Sequence, residues 1–334
     1  MRLGLAGLLL VATTGTAAAQ KTDSVWIRNG DRITGEVETL TRGLLRYSTD
    51  DLGTISIEWD KVDRISTTTL LEVQLETGEK FYGHLGLGPS GWLVLGADTL
   101  PLPRIVAITP VDGKFWGRMH GYLDLGFSYQ KASKTVQVTT GARVVYRGPA
   151  AETTLDFSTF FEDRDDADEN SRLSSSLTER LLFGNRWSAG LVVGYDNNEE
   201  LDLSGRSRLV GFGARTLVQS NHIELRATGG LVLARERYFS TDSTTLSMEG
   251  LAGVSFRAFR YDRPKLDASI ASSVYPSFTV GGRVRWQNDI RLSYELVKDF
   301  MLTLTVFDAF DSKPQAVGAP KNDFGTTFAA TWTF

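Results

Sequence analysis

From His120 onward, apolar and polar residues alternate in segments of about ten to fifteen residues, and turn residues separate the segments. In one segment, Leu292 and Tyr294 alternate with Arg291, Ser293 and Glu295. Successive side chains of a β-strand point to opposite faces, so this period of two predicts strands with one apolar and one polar face. We count about twelve such segments, which predicts an antiparallel all-β domain over residues 118–334.

The connections between these segments alternate between short and long along the chain. Short ones lie near Gly184-Asn185 and Ser220-Asn221, and long ones include Glu162 to Asn170, Asp196 to Gly205 and Asp308 to Asp323. Tight turns at one end of the strands and longer loops at the other are typical of outer-membrane β-barrels. A soluble β-sandwich also alternates but has no reason to keep this order of loop lengths.

Aromatic residues concentrate near both ends of the predicted strands. Trp187 and Phe300 lie beside short turns, and Tyr195 and Trp286 lie beside long loops. Two such girdles are typical of a barrel in a membrane, where aromatic rings prefer the interface with water. Ordinary aromatic enrichment in strands would place rings in mid-strand as often, and a few, such as Phe127, do lie there. The pattern therefore favours a transmembrane antiparallel β-barrel.

The last residues, TFAATWTF, put aromatic side chains on one face of a strand and threonines on the other. We interpret the aromatic face as facing lipid. A final strand ending in Phe resembles the signal by which the barrel-assembly machinery recognises its substrates. We assign this assembly signal to Phe328, Trp332 and Phe334.

The opposite face of the strands is rich in charge, and we expect it to line a lumen. The residues predicted to face it are Arg143, Asp156, Arg180, Arg215, Glu224, Arg226, Glu249, Arg257, Asp267, Arg283, Arg285, Arg291 and Glu295. Charges of both signs at this density must pair or be hydrated. Small barrels fill with side chains and large ones hold an aqueous channel, so twelve strands leave both a narrow path and a closed polar core open.

One segment departs from the alternation. Glu179 has the same parity as Leu177 and Leu181. Either a β-bulge shifts the register there, or this carboxylate lies near the boundary of the apolar band.

The N-terminus carries Arg2, an apolar run over residues 3–12, and small residues up to Ala19. This pattern predicts a secretory signal peptide over residues 1–19. The alternative, an N-terminal membrane anchor, requires a longer apolar run.

Residues 22–112 contain an internal repeat. The hairpin signal at Asn29-Gly30 between Val25 and Ile33 recurs about 48 residues later at Thr77-Gly78 after Val73. Each copy contains four or five short strands. We therefore predict a periplasmic domain of two SH3- or Sm-like repeats, a type of module that binds partners more often than it catalyses.

The composition excludes several kinds of site. The chain contains 36 Lys and Arg residues against 40 Asp and Glu residues, which gives no basic surface for nucleic acid. It contains 0 Cys, which excludes disulfides and cysteine-ligated metals. We predict no cofactor, no metal site and no catalytic residue. Nucleophilic hydrolysis usually needs a positioned base, and His120 and His222 fall at the periplasmic rim, away from outer-leaflet lipid.

The mature chain resembles an uncharacterised family of bacterial proteins known as salt-induced outer membrane proteins, a domain of unknown function. The motifs NGDRITGEV (Asn29 to Val37) and IEWDKVDRI (Ile57 to Ile65), with the aromatic final strand, carry the likeness. The resemblance implies the barrel architecture and no activity.

These observations lead to three hypotheses for function in the Gram-negative outer membrane. The first is a non-enzymatic barrel that acts as a narrow channel or stabilises the envelope. The second is a membrane-anchored periplasmic module that binds peptidoglycan or a periplasmic protein. The third is a barrel hydrolase acting on lipid. The expected partners are outer-membrane lipid, lipopolysaccharide and the barrel-assembly machinery.

Overall fold

The computed structural model describes residues 21–111, 118–131, 135–148, 150–164, 167–199, 203–239, 244–314 and 321–332. The predicted signal peptide and Phe334 of the assembly signal lie outside these ranges. The described residues form β-strands almost throughout, and they contain no helix with the length and apolar character needed to cross a bilayer.

The N-terminal domain consists of eleven short strands. They are β1 (Asp23–Ile27), β2 (Arg32–Thr41), β3 (Leu44–Ser48), β4 (Thr54–Glu58), β5 (Val62–Ser66), β6 (Leu71–Leu75), β7 (Lys80–Gly83), β8 (Leu85–Gly86), β9 (Trp92–Leu95), β10 (Asp98–Pro101) and β11 (Ile105–Pro110). One sheet has the order β4-β3-β2-β11-β6-β7, with β1 paired to β2 and to β5, and a smaller sheet has the order β10-β9-β8.

The N-terminal domain contains two units that end on the same two elements. Four short strands (β1 to β4) lead into the 3₁₀ helix Trp59–Lys61 and then β5, and five (β6 to β10) lead into the 3₁₀ helix Leu102–Arg104 and then β11. Strand β11 of the second unit pairs with β2 of the first, so the units share a sheet.

A buried side chain joins the two 3₁₀ helices. The indole Nε1 of Trp59 donates a hydrogen bond of 2.7 Å to the carbonyl oxygen of Leu102. Both side chains lie in one core that also contains Tyr47, Ile65 and Ile105. Burying a side chain of this size stabilises a fold by about 3 kcal/mol, and the hydrogen bond fixes its orientation.

The C-terminal domain is a single sheet of twelve strands, each paired with its neighbours in sequence. The strands are β12 (Met119–Gln130), β13 (Thr135–Arg147), β14 (Ala151–Arg164), β15 (Ala167–Leu182), β16 (Trp187–Asn198), β17 (Leu203–Gln219), β18 (Ile223–Tyr238), β19 (Thr244–Arg260), β20 (Leu266–Pro276), β21 (Val284–Val297), β22 (Phe300–Asp311) and β23 (Asn322–Trp332). All pairs are antiparallel, which confirms the predicted strand number and direction.

The strands continue into segments that the sequence predicted as long loops. The ladder between β14 and β15 includes the pair Glu162 and Asn170 and reaches Arg164 and Ala167. The predicted loop from Glu162 to Asn170 is therefore wrong over most of its length. Charged and amide side chains are poor strand formers in isolation, but cross-strand pairing overrides that preference here.

Strands β12 and β23 stand at the two edges of the sheet, and no ladder joins them among the described residues. Both are exposed on both faces along most of their length. Each edge carries a row of backbone groups without a strand partner on one side.

The hydrogen bond between the two repeats generates the first prediction. Replacing Trp59 with Phe removes the indole donor and leaves the buried Leu102 carbonyl without its partner. We expect a loss of about 1–3 kcal/mol in the free energy of opening of the N-terminal domain. Native-state hydrogen exchange of the β1 and β11 amides in the full chain measures this loss.

Trp92→Phe provides the matched control, because Trp92 is 43% exposed. We expect this change to stay within about 0.5 kcal/mol of the unaltered chain. Equal protection in the two variants would contradict the structural role of the indole nitrogen.

Candidate functional site

The two faces of the twelve-stranded sheet have opposite character. One face carries large apolar side chains that remain exposed: Phe127 is 75% exposed and Trp332 is 70% exposed. In-register neighbours such as Leu292 and Leu304 continue this face across adjacent strands. We call it the apolar face.

The other face, which we call the polar face, carries the charges. Glu249 and Glu295 are each 2% exposed although both are ionisable. Arg283 on the same face is 7% exposed, whereas Leu246 on the apolar face is 70% exposed. The sheet therefore covers several of its charged side chains while it leaves large apolar ones exposed.

The pairing register tests where the predicted lumen residues point. Residues directly opposite each other in a ladder share a face, and Arg143 pairs with Asp156, Glu224 with Arg257, and Ser269 with Arg291. The predicted charges lie on the polar face, with one exception.

Arg215 is the exception, and its prediction is wrong. It pairs directly with Trp187 on the apolar face, and its guanidinium carbon lies 5.2 Å from the centre of that ring. The register of β17 and β18 shifts between Thr216 and Val218. This β-bulge inserts one extra residue between Thr216 and Val218. Strict alternation that is continued through the bulge therefore assigns Arg215 to the wrong face.

Glu179 lies on the apolar face, and no bulge shifts its register. It is opposite Thr153, whose hydroxyl lies 2.5 Å from Glu179 Oε2 as a hydrogen-bond donor. The residue is close to the tight turn that follows β15. Of the two sequence interpretations, a displaced register is therefore wrong.

One group of ion pairs surrounds Glu249 on the polar face. Arg285 Nε donates to Glu249 Oε1 at 3.0 Å, and Arg283 Nη1 lies 3.9 Å from the same oxygen. Arg283 also binds Asp311, with Nε 3.0 Å from Oδ1. Because Glu249 is so deeply covered, removal of one partner would leave a buried charge uncompensated.

Two further groups lie on the same face. Arg206 contacts Asp196 at 3.4 Å and Glu236 at 3.7 Å, so it joins three consecutive strands. In the other group, Glu152 accepts from Arg147 at 2.9 Å and from Arg180 at 3.2 Å. The polar face therefore holds its charges mainly as compensated networks.

The N-terminal domain contacts the tight turns of the twelve-stranded sheet. Asn221, in the turn between β17 and β18, is 7% exposed. Its Nδ2 donates to the carbonyl oxygens of Pro103 at 3.2 Å and Ile105 at 2.9 Å. Gly43 approaches the same turn, and a Cβ at Gly43 would lie 2.6 Å from the Asn221 carbonyl oxygen.

A second contact forms at the turn between β19 and β20. Lys61 Nζ lies 2.7 Å from Asp262 Oδ1, and the Tyr261 hydroxyl donates to the Arg42 carbonyl at 3.0 Å. The hydrogen bond from Lys61 holds the pKa of Asp262 below its usual value, and the same bond raises the pKa of Lys61. Both charges are exposed, so we assign this pair an orienting role.

His120 and His222 do not share a site in the structure. His120 is exposed on β12. His222 Nε2 lies 3.9 Å from Asp60 Oδ2 of the N-terminal domain. Among the residues that the structure describes, no group of three or more His, Cys, Asp or Glu side chains is arranged to hold a metal ion.

Residues 123–334 match the sequence profile of a family described as proteins of unknown function, DUF481. The chain belongs to the DUF481 family. The match begins within β12 and covers the rest of the twelve-stranded sheet, so this sheet is the part of the chain that the DUF481 profile describes. No curated protein and no solved structure matches the chain.

The contact at Asn221 generates the second prediction. Asn221→Ala removes the amide donor from the carbonyls of Pro103 and Ile105. The loss of this donor leaves two carbonyl oxygens without their partner and weakens the contact between the domains by about 1–3 kcal/mol. We therefore expect the two domains to sample a wider range of relative positions. Spin labels at Leu52→Cys and Leu246→Cys, both exposed positions in a chain with Cys 0, report the distance distribution.

His222→Ala is the matched control in the adjacent position. Among the described residues, the His222 side chain makes only a long contact with Asp60, and both side chains are exposed. Its distance distribution should equal that of the labelled parent chain. A distribution that broadens as much for His222→Ala as for Asn221→Ala would remove the special role of the amide.

Proposed function

We propose that residues 118–334 close into an antiparallel β-barrel in the outer membrane of a Gram-negative bacterium. The single observation that carries this proposal is the inverted burial of the sheet, with exposed apolar residues on the apolar face and several covered charges on the polar face. In water such a surface would be a large unprotected apolar patch. In a bilayer the same surface is solvated by hydrocarbon.

Closure through β12 and β23 follows from the same environment. Lipid offers no hydrogen-bond partners, so an open sheet edge is not tolerated in the hydrocarbon region. With twelve strands, the first and last run antiparallel and can pair as every other neighbouring pair does. Leu123 and Leu125 on β12 and Phe328 on β23 would then extend one apolar band around the barrel.

The contacts of the N-terminal domain support one orientation of the barrel in the membrane. Asn221 and Asp262 lie in tight turns and contact this domain. Tight turns of outer-membrane barrels face the periplasm, so we place the domain there. We further propose that each of its two units is a small barrel of the SH3 or Sm type, since β1 to β5 pair as a compact five-stranded unit.

The polar face supports a non-enzymatic role as the lining of a narrow channel. Its charges occur as networks around Glu249, Asp196 and Glu152, which favours hydrated or paired groups over a catalytic arrangement. A barrel whose lumen these networks close would instead stabilise the envelope. The measurement of conductance distinguishes the two.

The third prediction tests the membrane position directly. Variants that keep one tryptophan are reconstituted in vesicles of phosphatidylcholine with brominated acyl chains, which quench nearby indole fluorescence. We expect strong quenching of Trp332, which is 70% exposed on the apolar face, and little quenching of Trp59, which is 2% exposed in the N-terminal core. A full chain that stays monomeric in water without detergent, with neither tryptophan quenched, contradicts the proposal.

The fourth prediction concerns ion selectivity in planar bilayers. Glu249→Gln leaves Arg283 and Arg285 without their shared carboxylate. We expect the ratio of anion to cation permeability to rise by about twofold or more, because fixed charges lining a pore set its selectivity.

Arg215→Gln is the control, because this charge lies on the apolar face beside Trp187. Its permeability ratio should not change. A reconstituted barrel that gives no current in any variant would exclude the channel and leave the envelope-stabilising role.

A further inference from the structure

A cleft of about 410 Å³ lies between the two repeats of the N-terminal domain. Three segments line it. The hairpin of β1 and β2 contributes Trp26 and Arg28, strand β5 contributes Asp63 and Arg64, and the turn before β9 contributes Ser90 with Gly91. This volume is within the range of sites that hold small ligands.

One lining residue, Trp26, is a tryptophan between two arginines. Trp26 pairs with Arg32 on β2 and with Arg64 on β5, so both guanidinium groups are its cross-strand neighbours. Their central carbons lie 5.1 Å and 5.8 Å from the centre of the ring. Cation–π contacts at this distance hold the ring and both arginines in place.

The carboxylate of the one acidic residue in the lining already accepts two hydrogen bonds from the protein. Asp63 Oδ1 accepts from the Ser90 hydroxyl at 2.5 Å, and Asp63 Oδ2 accepts from Arg64 Nε at 3.2 Å. The Gly91 amide donates to the Asp63 carbonyl oxygen at 3.0 Å. These bonds fix the second repeat against the first and offset the charge of the Asp63 carboxylate.

Arg28 is different, because it is exposed and its guanidinium has no hydrogen-bond or ion-pair partner in the described part of the chain. Arg64 keeps donors beyond its single bond to Asp63, since a guanidinium carries five. The lining therefore presents a surplus of positive charge next to the apolar surface of Trp26 and Ile27.

We propose that this cleft binds the terminal carboxylate of a peptide, with the preceding side chain against Trp26 and Ile27. A guanidinium matches the planar carboxylate with two parallel hydrogen bonds, and the apolar wall suits a small aliphatic side chain. The inference concerns the N-terminal domain and goes beyond the proposed barrel, because it needs neither closure of the sheet nor conduction.

Isothermal titration of the full chain in detergent tests this site. The probe is N-acetyl-alanyl-alanine with a free carboxylate, and the matched ligand is the same dipeptide with a C-terminal amide. A single site with one or two charged hydrogen bonds binds with a dissociation constant on the order of 1 mM. We expect the amide to bind at least about tenfold more weakly, because it loses the charge-assisted bonds.

Arg28→Gln should weaken carboxylate binding by about tenfold or more. Arg46→Gln is the matched control, since Arg46 is an exposed arginine of the same domain that pairs with Glu38. It should bind as the parent chain does. Arg28 is on the surface, and unchanged hydrogen exchange of β1 would show that its replacement leaves the fold intact.

Three results would overturn the proposal. They are equal binding of the acid and the amide, equal binding by the Arg28→Gln and parent chains, and saturable binding of inorganic phosphate without binding of the peptide. The last result would assign the cleft to small inorganic anions.

Discussion

The twelve-stranded sheet depends on one constraint, which is that its polar face must hold charged side chains that have little access to water. Glu249 and Glu295 are almost completely covered. A covered carboxylate is tolerated only where nearby donors compensate its lost hydration. Glu249 has Arg283 and Arg285, and Glu295 has backbone amides of Lys265 and Asp299 at 3.0 and 3.2 Å. The apolar face can carry large apolar side chains because the charged residues are gathered mainly on the polar face.

The N-terminal domain obeys the opposite arrangement. Its apolar residues form a closed core around Tyr47, Trp59 and Ile105, and its charges lie mostly outside. The two domains therefore place their apolar residues in opposite ways. Their contact has a mixed character, because a covered amide at Asn221 binds two backbone carbonyls while the nearby Lys61 and Asp262 remain exposed. Such a contact fixes orientation without a large shared core.

Alternation along the chain was sufficient to predict the number of strands and most of their faces. It depends only on the period of two, and each β-strand displays that period whatever its neighbours are. The assignment of Arg215 failed because a bulge changes the parity within β17 and leaves no clear mark in the sequence. The loop predicted from Glu162 to Asn170 failed for another reason, since cross-strand partners extend β14 and β15 through residues with low strand propensity.

Other features could not be predicted from local patterns. Trp59 and Leu102 lie in different repeats, and Asn221 meets a segment more than a hundred positions earlier in the chain. Ser220 and Asn221 were correctly predicted as turn residues, but turn chemistry does not identify the partner of an amide. The cleft at Trp26 also depends on a distant segment, because the turn at Ser90 completes it.

The choice of arginine over lysine on the polar face explains how these networks span several strands. Arg206 reaches carboxylates on both neighbouring strands, and Arg285 on β21 reaches Glu249 on β19 across the intervening β20. Its guanidinium carbon lies 5.1 Å from the ring centre of Tyr275 on that middle strand. A planar group with five donors can bind two partners and stack on a ring at once, whereas an ammonium acts as a point charge. Pairs that span three strands are shortest when the face that carries them is concave, so the same arginines that compensate the buried carboxylates would also favour the curvature that closure into the proposed barrel requires.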